Sequence, residues 1–208
     1  EVNKMVTTAK LIAYTQPPSE NGIIGIDDVQ DLIAFCARVS NPSNQMNQKT
    51  SEKLIKYLVK HKHWSPLEMA SATIEIDTTR DIAHQIVRHR SFAFQEFSQR
   101  YAEPSEMGDA FTTRECRLQD TTNRQNSIEI ENDPSLVDNQ VHQELIKDWN
   151  RRQIGIINQA KQCYQWAIDN GIAKEQARAV LPEGLTKTRL YMQGSLRSWV
   201  HYIELRGA

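Results

Sequence analysis

From about Val141 to Asn170 the chain keeps an unbroken helical pattern, and Gly171 follows as the residue that ends it. A helix of that length must bury one face against other elements, so it sets the scale of the fold and excludes an all-β chain.

The remaining pattern mixes shorter helices with a few strands. VTTAKLIAY, ahead of Pro17 and Pro18, reads as a strand, as do ASATIEID and TRLYMQGS. Apolar residues at Val29, Leu32, Ile33, Cys36 and Val39 predict a helix capped by Asp27, and SEKLIKYLVKHKH predicts another with Thr50 as its N-cap. In TRDIAHQIVRH, helical spacing sets Ile82, Ala83, Ile86 and Val87 on one face and Gln85, Arg88 and His89 on the other. KEQARAVLP is a short helix halted before Pro182. In LRSWVHYIELR, Leu196, Trp199, Val200 and Ile203 are expected to face the core, with Arg197, His201 and Glu204 on a polar face. Residues 103–140 are polar and predict a long loop with short ordered pieces. The expectation is an α+β fold, a central mostly antiparallel sheet flanked by helices, in one domain spanning residues 1–208.

A net charge of −1 gives no general polyanion-binding surface, so any basic site is local and no nucleic-acid partner is expected. No apolar run is long enough to span a bilayer and no leader pattern is seen, so no membrane partner is expected. Cys36, Cys116 and Cys163 are odd in number and widely spaced, which is neither a disulfide framework nor a CxxC metal site. A reducing, cytoplasmic setting fits, with Cys36 and Cys163 in the core.

The cationic chemistry gathers in RHRSFAFQEFSQRY, residues 88–101. Arginine suits bidentate phosphate contact, so Arg88 and Arg90 could grip a pyrophosphate, and an extended Glu96, Ser98 and Arg100 face could bind sugar hydroxyls and a second phosphate. Alternatively these arginines are surface charges paired with Asp81 or Glu96. His61 and His63 alternate at a helix end, where both rings do not share one face, and no metal is expected. Arg178, Arg197, His201 and Arg206 lie on helices, and taken alone they read as solvent-facing residues of a polar face. There is no GxGxxG, GxxxxGK[ST] or GxSxG.

Arg88-His89-Arg90, seven residues and then Ser98 resembles the signature of flavin-dependent thymidylate synthases, the ThyX family. CARVS at 36–40, HWSPLE at 63–68, Gln85, QEFSQRY at 95–101, ARAVLP at 177–182 and LRSWVHYIELR at 196–206 look like further family blocks in the same order, so the resemblance covers nearly the whole chain. Ala93, Gln95 and His201 depart from residues often seen in relatives (Ser, Asn and Asn).

The resemblance implies methylation of dUMP at C5 of uracil to give dTMP. Methylenetetrahydrofolate supplies the carbon, FAD reduced by NADPH supplies the hydride, and tetrahydrofolate is released. It also implies a homotetramer with active sites where subunits meet. By position, Arg88, His89 and Arg90 would hold FAD with Ser40, Ser65, Glu68, Gln95, Arg197 and His201. Gln85, Glu96, Ser98, Arg100, Arg178 and Arg206 would bind dUMP, with Glu96 touching both ligands and His63 on the flavin and folate side. Arg206 is expected to be catalytic, its guanidinium stabilising the uracil anion at O4 or N3. Two other readings compete: a module that stacks single strands on Phe92, Phe94 and Phe97 beside the arginines, and a structural α+β subunit.

Overall fold

A computed structural model of the chain describes residues 7–18, 22–23, 25–107, 109–131 and 133–207. Four strands, β1 (Thr8–Tyr14), β2 (Ser71–Thr79), β3 (Ala93–Glu96) and β6 (Lys187–Ser195), form a mostly antiparallel sheet in the order β1-β2-β6-β3. The helices are α1 (Val29–Ala37), α2 (Ser51–Lys60), α3 (Arg80–Ile86), α4 (Pro134–Val137), α5 (Gln140–Asp169), α6 (Lys174–Ala177) and α7 (Leu196–Arg206). The α+β expectation holds. No helix among the described residues is long and apolar enough to cross a membrane.

The chain divides into two compact units. Among the described residues, one holds Asp77–Ile86 and Glu96–Arg189 with Thr7 and Thr8; the other lies within Ala9–Ile76, Val87–Gln95 and 190–207.

In the first unit, α5 is fixed at both ends by local chemistry. The Asn139 side chain accepts from Val141 N at 2.9 Å. At the far end Gly171 takes φ +75°, and the amides of Gly171 and Ile172 return to the carbonyls of Ile168 and Ala167 at 2.9 Å each. This is the glycine-terminated helix end that the sequence predicts. The helix buries Ile157, Tyr164 and Ala167 against Phe111, Ala177, Leu181 and Leu185. Gln153, 1% exposed, is satisfied there: its Oε1 accepts from Arg114 N at 2.7 Å and its Nε2 donates to Arg114 O at 3.0 Å. A second apolar stripe on α5 stays exposed, with Leu145, Trp149, Ile156 and Trp166 along it. Cys163 is also exposed, not in the core as expected.

Within the polar 103–140 segment, β4 (Arg117–Gln119) and β5 (Ser127–Glu129) pair as an antiparallel hairpin. Its tip is closed by Asp120, whose carboxylate accepts from Thr122 N, Asn123 N, the Thr122 hydroxyl and Asn126 Nδ2. These four donors hold the Asp120 carboxyl well below the usual carboxylate range.

In the second unit, α1 is capped by Asp28, not Asp27, through Asp31 N at 2.8 Å. Thr50 stands at the N-cap of α2 but makes no side-chain cap bond, because its hydroxyl instead accepts from Arg38 Nη2 at 2.8 Å. Arg38 is buried, and its Nη1 donates to Asn47 O. After α2 the chain reverses at Lys62, a non-glycine residue at φ +58°. That reversal brings the rings of His61 and His63 to 6.3 Å, with Tyr57 at 4.2 and 6.1 Å from them. On α7, Ser198 is the buried residue and Ile203 is 63% exposed, contrary to its expected core position.

Candidate active site

The helical pattern of TRDIAHQIVRH breaks sooner than its spacing predicts. α3 ends at Ile86, and Arg88, His89 and Arg90 lie in the following turn, off any helix face. Within the second unit this turn is held from several sides. The Ser198 hydroxyl donates to Ser91 O at 3.1 Å, and Trp199 Nε1 donates to Ala72 O at 3.2 Å. The Phe92 ring meets the Trp199 ring edge-on at 4.8 Å. Gly194 makes room for that ring: a Cβ there would lie 2.4 Å from Phe92 Cδ1. The local sequence thus anchors residues 91 and 92 and leaves the cations before them outside.

Arg88 and Arg90 are exposed and carry no ion pair among the described residues. Of the carboxylates expected to pair with them, Asp81 pairs with Arg114 at 3.5 Å and Glu96 with Arg80 at 3.3 Å. His89 meets Tyr202 edge-on at 4.8 Å, and its Nε2 accepts from Arg206 Nε and Nη2, each at 3.4 Å. A guanidinium only donates, so Nε2 is the acceptor in both contacts. Arg197 Nη1 donates to Glu68 Oε1 at 2.7 Å, and the Trp64 and His201 rings meet at 4.6 Å. Ser65 opens the 3-10 turn Ser65–Met69 that carries Glu68. Ser40, His63 and Gln95 belong to the same unit, and no side-chain hydrogen bond ties them or Ser65 to these residues.

The first unit contains a cleft of about 480 Å³ lined by Arg80, His84, Gln99, Glu175, Arg178 and neighbours. Arg178 Nε donates to Glu175 O at 3.3 Å, and Arg100 Nε stands 3.4 Å from Glu175 Oε1 with both side chains more than half exposed. Such a pair is readily given up to a better anion. The extended face expected for Glu96, Ser98 and Arg100 does not form. β3 stops at Glu96, and the chain turns through Ser98–Ala102, with Tyr101 N and Ala102 N bonded to Ser98 O. Ser98 and Arg100 are exposed, while Gln99 is buried at 4% exposure with an Nε2 that has no partner. Gln85 is exposed near the end of α3. Sequence reasoning missed Gln99, Arg80 and His84. The only signal for Gln99 was its position between Ser98 and Arg100, since its residue type favours the surface.

The family model for Thy1, thymidylate synthase complementing protein, matches residues 23–208. A probable flavin-dependent thymidylate synthase of Paramecium bursaria Chlorella virus 1 is 46% identical over 199 residues, covering 96% of this chain and 84% of that protein. A flavin-dependent thymidylate synthase of Synechocystis is 46% identical over 178 residues, covering 85% of this chain and 74% of that one. Among solved structures, a UMP/dUMP methylase PolB from Streptomyces cacaoi bound with 5-Br dUMP superposes with a TM-score of 0.73. It is 24% identical and covers 98% of this chain and 79% of that chain, a likeness of fold. By the reach of the family model and the identity to two curated relatives, the chain belongs to the thymidylate synthase complementing protein family.

Proposed function

We propose that the chain is a flavin-dependent thymidylate synthase, a methyltransferase that converts dUMP to dTMP with methylenetetrahydrofolate as carbon donor. The observation that carries this reading is that Arg88 and Arg90, flanking His89, are exposed and carry no ion pair among the described residues. Two uncommitted guanidiniums beside a histidine form a donor set suited to a dinucleotide's phosphates. FAD, reduced by NADPH, would supply the hydride when bound there.

The residue roles are those that the family resemblance implies. Arg88, His89 and Arg90 hold the flavin cofactor, with Ser40, Ser65, Glu68, Gln95, Arg197 and His201 adding hydrogen bonds. Gln85, Glu96, Ser98, Arg100 and Arg178 hold dUMP, Glu96 facing both ligands and His63 the folate side. Arg206 stabilises negative charge on uracil O4 or N3, and its contacts with His89 Nε2 orient it. Among the described residues Ser98 makes no hydrogen bond to a base that would activate it, so its role is binding, not attack. The exposed apolar stripe of α5 supports assembly as a homotetramer, with active sites where subunits meet. The chain acts as one catalytic domain, and its three free cysteines suit the cytoplasm.

The test is dUMP-dependent NADPH oxidation by protein supplied with FAD. Thymidylate is expected only when methylenetetrahydrofolate is added. Saturating FAD and substrates without thymidylate would overturn the reading.

A further inference from the structure

Glu96 is held by one of its two oxygens. Oε1 accepts from Arg80 Nη1 at 3.3 Å and from the hydroxyl of Thr188, fully buried, at 2.9 Å. Oε2 has no partner among the described residues. The Arg80 and Glu96 side chains are only 13% and 21% exposed, so their attraction is less screened than a surface pair's. Arg80 is itself fixed: its backbone N donates to Thr186 O at 3.0 Å, and Nη2 stands 3.5 Å from His84 Nε2. Because arginine only donates, His84 Nε2 must accept. The other ring nitrogen, Nδ1, lies 3.2 Å from Glu183 Oε2. Arg80 thus stands between Glu96, to which it donates, and the His84 ring, which lies against Glu183.

We propose that Arg80, oriented by His84 and Glu183, is a positioning residue that fixes the Glu96 carboxylate so that Oε2 accepts from an O–H or N–H of the nucleotide. Arg80, His84 and Glu183 all line the cleft that holds Arg178. The inference rests on the nucleotide role of Glu96 proposed above.

The test is titration calorimetry of the FAD-loaded enzyme with dUMP. Wild-type protein that fails to bind dUMP would count against the synthase reading itself. With wild-type binding established, Arg80→Met is expected to weaken dUMP about tenfold, and Arg80→Lys to restore most of the loss. Arg80→Met combined with Glu96→Gln is expected to bind no more weakly than Glu96→Gln alone. Wild-type affinity in Arg80→Met, or losses that add in the double variant, would overturn the proposal. A nitrogen-15 spectrum of the wild-type His84 ring gives a second readout that needs no variant to fold. The Nδ1–H tautomer is expected, and an Nε2–H tautomer would overturn the orienting chain.

Discussion

One ring nitrogen, His89 Nε2, serves two donors of a single guanidinium, lying 3.4 Å from both Nε and Nη2 of Arg206. The arrangement orients Arg206, whereas Arg88 has no such partner among the described residues. Their substitutions should therefore fail differently. Arg206→Ala is expected to lose turnover by about 10²–10³-fold while keeping its flavin. Arg88→Ala should lose flavin first. Flavin absorbance of the purified variants, set beside their kcat, checks this, and equal flavin retention would contradict the assignment.

Gln99 carries a buried Nε2 without a partner, a state that costs about 1–3 kcal/mol in a folded chain. If the nucleotide supplies the missing acceptor, removing the donor should separate stability from binding. Gln99→Met is expected to melt no lower than wild type while binding dUMP about tenfold more weakly. Thermal melts and calorimetry read the two quantities separately. A variant that melts lower and binds normally would make Gln99 a structural residue.

What the sequence disclosed and what it hid follow one physical division. The ends of α5 were legible because Gly171 and the helical period are local signals. The exit of α3 was not, because the spacing of Ile82, Ala83, Ile86 and Val87 continues past Ile86, where the helix stops. The extended reading of QEFSQRY failed after Glu96 for a similar reason: alternation cannot show where the backbone turns, and one turn reversed the burial of Gln99. Arg80 and Glu96 are sixteen residues apart, and pairing at that distance leaves no trace in spacing. The candidate residues were named by resemblance; which of them hold one another required coordinates. Cys163 and Ile203 are apolar in type but exposed, a placement that residue type does not reveal.

Lys62 sits at φ +58°, where a side chain costs about 1–2 kcal/mol that glycine avoids. Glycine's extra freedom in the unfolded chain offsets part of that gain. Lys62→Gly is expected to raise the melting midpoint by about 2–4 °C, measured by calorimetry. A lowered midpoint would mean that the Lys62 side chain contributes more than its backbone costs.

Gly194→Ala would force a Cβ to within 2.4 Å of the Phe92 ring. Overpacking of this kind costs about 1–3 kcal/mol. Because Phe92 ends the turn that carries Arg88 to Arg90, the variant is expected to lose both stability and flavin affinity. Calorimetry and flavin titration check the two losses, and a variant with normal flavin affinity would show that the turn tolerates the shift.

Asp120 has a lowered folded-state pKa, the backbone amides of Asn123 and Thr122 being the leading causes. A depressed carboxyl contributes stability that is complete above its unfolded value, about 3.9, and lost as pH falls through its folded value. The β4–β5 tip is therefore expected to stay closed at neutral pH and open only under strong acid. Amide exchange at Thr122 and Asn123 should accelerate there, and Asp120→Asn should remove that pH dependence. Exchange independent of pH in the wild-type tip would refute the assignment.

The close approach of Phe92 to Gly194 also governs how the chain can change over generations. A larger residue at 194 costs stability until the ring at 92 has shrunk, and a smaller residue at 92 leaves a void until 194 fills it. Each first step carries a cost that the second removes, so the two positions should be inherited as a linked pair, with their intermediates rare among descendants.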